Sequence, residues 1–164
     1  MADEKIKDID LGWKKIKKQL KLIDKSYTKV GIQGNAGEEK NGASIVMVGV
    51  YNEFGTPNAK YPIPARPFMR TSFEEQKKEL KKIQDSQYQK ILKGKTTVKR
   101  ALGLIGEFMT GKVKEKITKI KSPPNAESTK ASKGSSNPLI DTGRMRASVT
   151  HVEVIQGKVK GTNK

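Results

Sequence analysis

Cysteine is absent, so neither a disulfide framework nor a thiolate metal site can be built from this chain. Histidine is limited to His151, which leaves little material for acid–base work near neutrality. Aromatic residues make up 5% of the chain, too few for stacking the bases of a single strand. No run approaches the roughly 18 apolar residues that cross a bilayer, and Met1-Ala2-Asp3-Glu4-Lys5 lacks the apolar centre of a secretory leader. Membrane insertion and export are not expected, and a reducing cytoplasm is the default site of folding. Acidic residues are scarce too: 17 Asp and Glu face 34 Lys and Arg, for a formal charge of +17. Such a field attracts polyanions, so DNA, RNA or an acidic protein surface is implied. The plainer alternative for any one lysine is that it keeps the chain in water.

The 164 residues fit one domain, and folding at that length buries roughly 68–70% of the surface the unfolded chain exposes. With 34% hydrophobic and 31% charged residues, the apolar material has to be concentrated on a few faces. Ile6, Ile9, Trp13, Ile16, Leu20 and Ile23 recur at three- and four-residue steps, which predicts an amphipathic helix over Ile6–Lys25. Tyr27–Gln33 alternates as a half-buried strand does, and Asn35–Ala43 reads as an exposed loop. Ser44–Phe54 is ambiguous. Ile45-Val46-Met47-Val48 favours a strand, whereas Ser44 as a cap with Val46, Val50 and Phe54 at four-residue spacing favours a helix, and the balance falls to helix. Pro62, Pro64 and Pro67 push their predecessors toward extended backbone, so Tyr61–Phe68 is expected as a stiff arm.

Thr71-x-x-Glu74 and Ser72-x-x-Glu75 both fit a capping box, placing the start of the next helix at Thr71 or Ser72 and its stop at Gly94. A further helix from Thr97 carries Val98, Leu102, Ile105, Met109, Val113, Ile117 and Ile120 on one face and ends before Pro123-Pro124. Gly103, Gly106 and Gly111 weaken it by about 1 kcal/mol each relative to Ala, a cost that close packing against a neighbour would offset. Ser122–Asn137 is polar and predicted to be a mobile loop, Ala147–Ile155 a strand, and Gly157 a turn into Lys158-Val159-Lys160 before a frayed C-terminus.

Chemistry is poorly supported. Ser148, His151 and Asp141 can be drawn as a triad, but they share one short stretch and no oxyanion glycine motif accompanies them. Nothing has metal-ligand spacing, and Gly31-x-x-Gly34 is neither a Walker nor a dinucleotide fingerprint. No catalytic, cofactor-binding or metal-binding residue is expected.

Two short motifs are more informative. Tyr51-Asn52-Glu53-Phe54-Gly55-Thr56-Pro57, followed by Ile63-Pro64-Ala65-Arg66-Pro67-Phe68-Met69-Arg70, describes a turn and a proline-set arm presenting Phe68 between two arginines. Phe54 and Phe68 are either anchors for a partner's groove or core residues pinning the arm. Asn137-Pro138-Leu139-Ile140-Asp141-Thr142-Gly143-Arg144 reads as a turn in which Asp141 accepts from backbone N–H groups just ahead and Gly143 takes a positive φ.

Together with Pro123-Pro124-Asn125-Ala126, these motifs, in this order from about Gly42 onward, resemble the tail-completion or head-to-tail joining proteins of tailed bacteriophages, of the Mu-like virion-morphogenesis type. The chain departs from that pattern at Asn52, where His is frequent, and in its short tail after Val154. The resemblance implies an α+β subunit with helices packed on a small antiparallel sheet, assembling in the host cytoplasm into a homo-oligomeric, six-fold ring at the virion neck or tail top. Its implied neighbours are neck, connector and tail-terminator or tail-tube proteins, with DNA passing through the lumen. On this reading Ala36–Ala43, Thr56–Phe68 and Ser122–Asn137 are assembly arms, and the interface residues are Glu53, Phe54, Arg66, Phe68, Arg70, Asp141 and Arg144. The alternative class is a small basic nucleic-acid-binding protein, which the charge alone supports.

Overall fold

The computed structural model describes residues 10–133 and 135–160. In chain order the elements are α1 (Trp13–Ile23), β1 (Tyr27–Ile32), α2 (Ile45–Phe54), α3 (Phe68–Leu92), α4 (Val98–Lys119), α5 (Glu127–Lys133), α6 (Arg144–Ala147), β2 (Val149–Ile155) and β3 (Lys158–Lys160). The strands form one antiparallel sheet in the order β1-β2-β3, with Tyr27 opposite Val154, Ile32 opposite Val149, and Val154 opposite Val159. This is an α+β fold, as expected.

The longest apolar stripe organises it. Val98, Ala101, Ile105, Met109, Val113 and Ile117 are buried along one side of α4, which lies across β1 and β2 and alongside α3. The C-terminal half of that stripe joins Ile45, Phe68, Leu139, Met145 and Val149 in the main core. At the other end Val98 and Ala101 pack with Ile91, and Leu20 and Ile23 of α1 cover them. The α4 cap falls at Thr97, whose hydroxyl accepts from the Arg100 N–H at 3.2 Å. The β2–β3 hairpin turns at Gln156-Gly157, both at positive φ, as a two-residue connection between twisted strands requires.

The structure departs from the sequence reading at four places, one of them Ala147, expected to open the last strand but placed as the final residue of α6, with β2 starting at Val149. The segment 6–9 lies outside the described residues, and α1 begins at Trp13. There Asp10 Oδ1 accepts from the Gly12 and Lys14 N–H groups while Gly12 takes a φ of 105°. The helix α3 begins at Phe68 and neither Thr71 nor Ser72 caps it. Both sit inside its first turns, where the Thr71 hydroxyl donates back to the Pro67 carbonyl and Ser72 is buried. Within Ser122–Asn137 the chain forms the short helix α5 where a loop was expected, yet α5 contributes no buried residue. The Lys130–Glu127 ion pair lies along it, and Lys133 ties its last turn to the Asn137 and Pro138 carbonyls.

The three glycines of α4 have three different surroundings. A Cβ on Gly106 would meet the His151 ring at 2.5 Å and Thr28 Oγ1 at 2.7 Å, so the bare backbone is what lets the sheet approach the helix. At Gly103 the obstacle is Glu153 Oε1 at 2.8 Å, the end of a flexible side chain, and at Gly111 nothing lies within 4 Å. Gly106→Ala is therefore expected to destabilise by about 1–3 kcal/mol through overpacking, and Gly111→Ala to stabilise by about 1 kcal/mol through helix propensity. Denaturant melts of the two variants check the opposite signs.

Candidate functional site

The motif residues, scattered along the chain, meet in one place. Glu53, on the buried line of α2 with Ile45 and Gly49, is 6% exposed. Its Oε2 accepts from the Met69 N–H at 2.8 Å and its Oε1 from the Arg70 N–H at 3.0 Å. These are the second and third residues of α3, the donors that a local cap would satisfy, so a carboxylate from α2 takes over the capping role. Its negative charge also sits on the positive end of the 25-residue α3 dipole.

Arg66, 3% exposed, is bound without a carboxylate. Its Nε donates to the Pro123 carbonyl at 2.7 Å and its Nη2 to the Pro124 carbonyl at 3.0 Å and to Asn125 Oδ1 at 3.1 Å. Its Nη1 reaches Asn52 Oδ1 at 3.4 Å, while its backbone N–H donates to the Asn52 carbonyl at 2.7 Å. Burial lowers the guanidinium pKa, but the planar fork is matched to carbonyl acceptors from two other motifs, Asn52 and Pro123-Pro124-Asn125. Phe68, 1% exposed, lies in the main core with Leu139 and Met145. Of the two roles open to Phe68, the geometry supplies the core one.

Between Gly55 and Arg66 the chain forms a loop closed at its base. The Thr56 N–H donates to the Ile63 carbonyl at 2.9 Å and the Ile63 N–H to Thr56 Oγ1 at 2.8 Å. Gly55, at φ 75°, stands where a Cβ would strike the Ile63 carbonyl at 2.8 Å and the Ala65 nitrogen at 2.9 Å. Beyond that staple the loop is exposed, with Tyr61 79% accessible. The segment 35–43 is likewise a tight turn, in which the Glu39 N–H donates to the Ala43 carbonyl and Glu38 bridges to Ser44.

The other expected interface residues lie at the surface. Phe54 is 64% exposed, and the Arg70 guanidinium stands over its ring at 5.8 Å. Asp141 and Arg144 are exposed. The turn there works differently from the reading above: Gly143 does take a positive φ of 79°, but the Arg144 N–H donates to the Thr142 hydroxyl rather than to Asp141. The Asx turn belongs instead to the buried Asn137, whose Oδ1 accepts from the Leu139 N–H at 3.1 Å while its Nδ2 donates to the Thr118 carbonyl at 3.0 Å. Sequence reasoning passed over Asn137 as a bonding residue and Lys133 altogether. The Asn137-Pro138 pair was a signal for the first, since Asx residues ahead of proline favour turns.

Lys133 donates to the Asn137 and Pro138 carbonyls at 3.3 and 3.2 Å. Burial lowers its pKa, Asp141 pulls it back up and Arg66 lowers it further. His151 has Thr110 Oγ1 at 3.4 Å from Nδ1 and Glu153 Oε1 at 3.9 Å from Nε2, and no hydrogen bond joins it to Ser148 or Asp141 among the described residues. Among those residues no group of three or more His, Asp or Glu could hold a metal ion, and no helix is long and apolar enough to cross a membrane. Comparison with protein-family models, with curated proteins and with solved structures gives no match.

Two outcomes follow from these contacts. Glu53→Ala removes both acceptors from the α3 terminus and should cost about 2–4 kcal/mol, and Glu53→Gln, which keeps one acceptor but turns its amide NH2 donor onto the other backbone N–H, should recover little of that loss; urea melts of both variants check this. Lys133 binds its proton less tightly folded than unfolded, so its contribution to stability rises with pH between its lowered folded value and the ordinary 10.5. The stability gap between the wild type and Lys133→Met should therefore move in favour of the wild type as thermal melts are taken to higher pH.

Proposed function

We propose that this chain is a non-enzymatic structural subunit of a tailed-phage virion, one copy in a ring at the neck or tail top that completes the tail and joins it to the head. The observation that carries the reading is the convergence of four family-like motifs on one knot. Asn52-Glu53, Arg66-Phe68, Pro123-Pro124-Asn125 and Asn137-Leu139 are linked by hydrogen bonds or core packing to hold a stapled arm clear of the body. Such an arrangement stores no reactive group. It shapes a surface, which is what a ring subunit contributes to its neighbours.

Charge supports a role beside DNA within that assembly. Lys77, Lys78, Lys81 and Lys82 line the exposed side of α3, and the ion pairs there, Lys81–Asp85 and Lys82–Glu79, are solvent-exposed and weak. The second reading, a free nucleic-acid-binding protein, is favoured by the charge of +17 alone. It requires tight, steeply salt-dependent binding of duplex DNA by the isolated chain, whereas the ring subunit binds weakly until assembled.

Phe68 is a core residue, and its truncation should cost about 3–5 kcal/mol, so the role is tested at exposed positions. Phe54→Ala and Arg144→Ala should leave the melting temperature within a few degrees of the wild type yet abolish complementation of a phage lacking the chain. Normal titres from both variants, or finished particles without the polypeptide, would discard the proposal.

A further inference from the structure

Cations are not spread evenly over this chain. Residues 11–23 carry five lysines and residues 88–100 carry four lysines and Arg100, with no acid in either stretch, so ten positive charges sit on 26 of the 164 residues. The fold brings the two stretches together. Ile16 of α1 packs at Gly94, where a Cβ would stand 3.7 Å from its Cγ1, and Gln19 Oε1 accepts from the Val98 N–H at 2.8 Å. Leu20, Leu22 and Ile23 complete the seam on Ile91, Val98 and Ala101. Lys14, Lys15, Lys17, Lys18 and Lys21 of α1 therefore share one pole of the molecule with Lys90, Lys93, Lys95, Lys99 and Arg100 of the α3–α4 turn. All ten are exposed, and none is in an ion pair among the described residues.

We infer that this pole binds the phosphate backbone of duplex DNA, without reading its sequence. Gathering like charge at one end works against the folded state through self-repulsion, and two placements add to it. Lys14 and Lys15 occupy the first turn of α1, and Lys99 and Arg100 the first turn of α4, at the positive ends of the helix dipoles. A polyanion reverses the sign of both effects. By contrast, Lys81, Lys82, Lys112, Lys116 and Lys119 are each paired with an acid. Nine of the ten cations at the pole are lysine, a point charge suited to phosphate, rather than the arginine fork that reads base edges. Lys14, Lys18 and Lys21 recur at four- and three-residue steps along about 10 Å of rigid helix, or about three base-pair steps of a duplex. An anionic bilayer is the competing polyanion, since Leu11 and Trp13 are exposed where α1 begins. The rest of the α1 apolar stripe, however, is occupied by the seam and is not free to insert. A single strand would need more aromatic platforms than Trp13 and Tyr88 supply. The inference deepens the reading of a subunit beside DNA and rests on the virion role only for which DNA is met.

The test is fluorescence anisotropy of a labelled duplex of about 30 base pairs, titrated with up to about 100 μM of the full chain at salt from about 50 to 300 mM. The wild type should bind with micromolar or weaker affinity at about 100 mM salt, and log K should fall steeply against log salt. Lys14→Gln, Lys18→Gln, Lys93→Gln and Lys95→Gln together should weaken binding at least about tenfold and make the salt slope shallower by about 3. Lys112→Gln, Lys119→Gln, Lys121→Gln and Arg146→Gln together remove the same net charge and should change affinity less than about threefold. Circular dichroism checks that both variants fold. In the unmodified chain, the duplex should protect Lys14, Lys18, Lys93 and Lys95 from acetylation and leave Lys119 and Lys121 reactive. No binding by the wild type at the lowest salt overturns the inference. So does equal weakening in the two variants, which would reduce the effect to net charge. Tighter binding to phosphatidylglycerol vesicles, to one strand of the duplex or to poly-glutamate than to the duplex overturns it in favour of a membrane, a single strand or an acidic protein. The virion role can fail separately: normal particles from the pole variant would remove this contact from the virion and leave the affinity of the pole for DNA standing.

Discussion

One buried carboxylate holds this structure in its arrangement. Glu53 reaches from α2 to the first N–H groups of α3 and substitutes for a cap that the local sequence around Pro67 does not provide. Proline fixes the entry angle of the helix but offers no side-chain acceptor, so the orphan donors have to be met from elsewhere. Once α2 is tied to α3 there, the loop between them must leave and return within a short distance. The Thr56–Ile63 staple and the pressed backbone at Gly55 are the consequence.

Arg66 extends the same logic to the opposite charge. Neither Glu53 nor Arg66 is paired with the other; each is neutralised by backbone dipoles, N–H groups for the acid and carbonyls for the base. Buried ions satisfied in this way depend on geometry more than on Coulomb attraction. The guanidinium ties the Pro123–Asn125 stretch, which carries no core residue of its own, to the arm. Lys133 repeats the pattern on the Asn137 and Pro138 carbonyls and so positions the turn that leads into α6 and β2. In a chain so rich in cations, carbonyl groups are the acceptors most readily at hand.

This distribution bears on the proposed role. The lone histidine, His151, lies against the bare backbone of Gly106, and Glu53 caps a helix. The outward side of α2 carries Met47, Val50, Tyr51 and Phe54, whereas the exposed side of α3 carries Lys77, Lys78, Lys81 and Lys82.

Much of the fold was legible from the chain alone. The stripe on α4 and its start near Thr97, the alternation of β1 and the turn at Gly157 are local signals, because periodicity and backbone preference act within a few residues of themselves. The motif residues could be marked as special, but the sequence left open whether they faced a partner or the interior. Phe68 and Arg66 went inward and Phe54 outward because α2 and α3 meet at a particular angle, which no window of neighbouring residues encodes. The same long-range contact misled the expected cap at Thr71 or Ser72, since a capping box is a local pattern and Glu53 satisfies the donors from another helix. Sequence by itself determined where the strongly periodic segments, α1, α3, α4 and β1, would fall and how much charge they would carry. Only tertiary structure decided which polar groups those segments share, because hydrogen bonds between distant elements exist only once the chain has closed on itself.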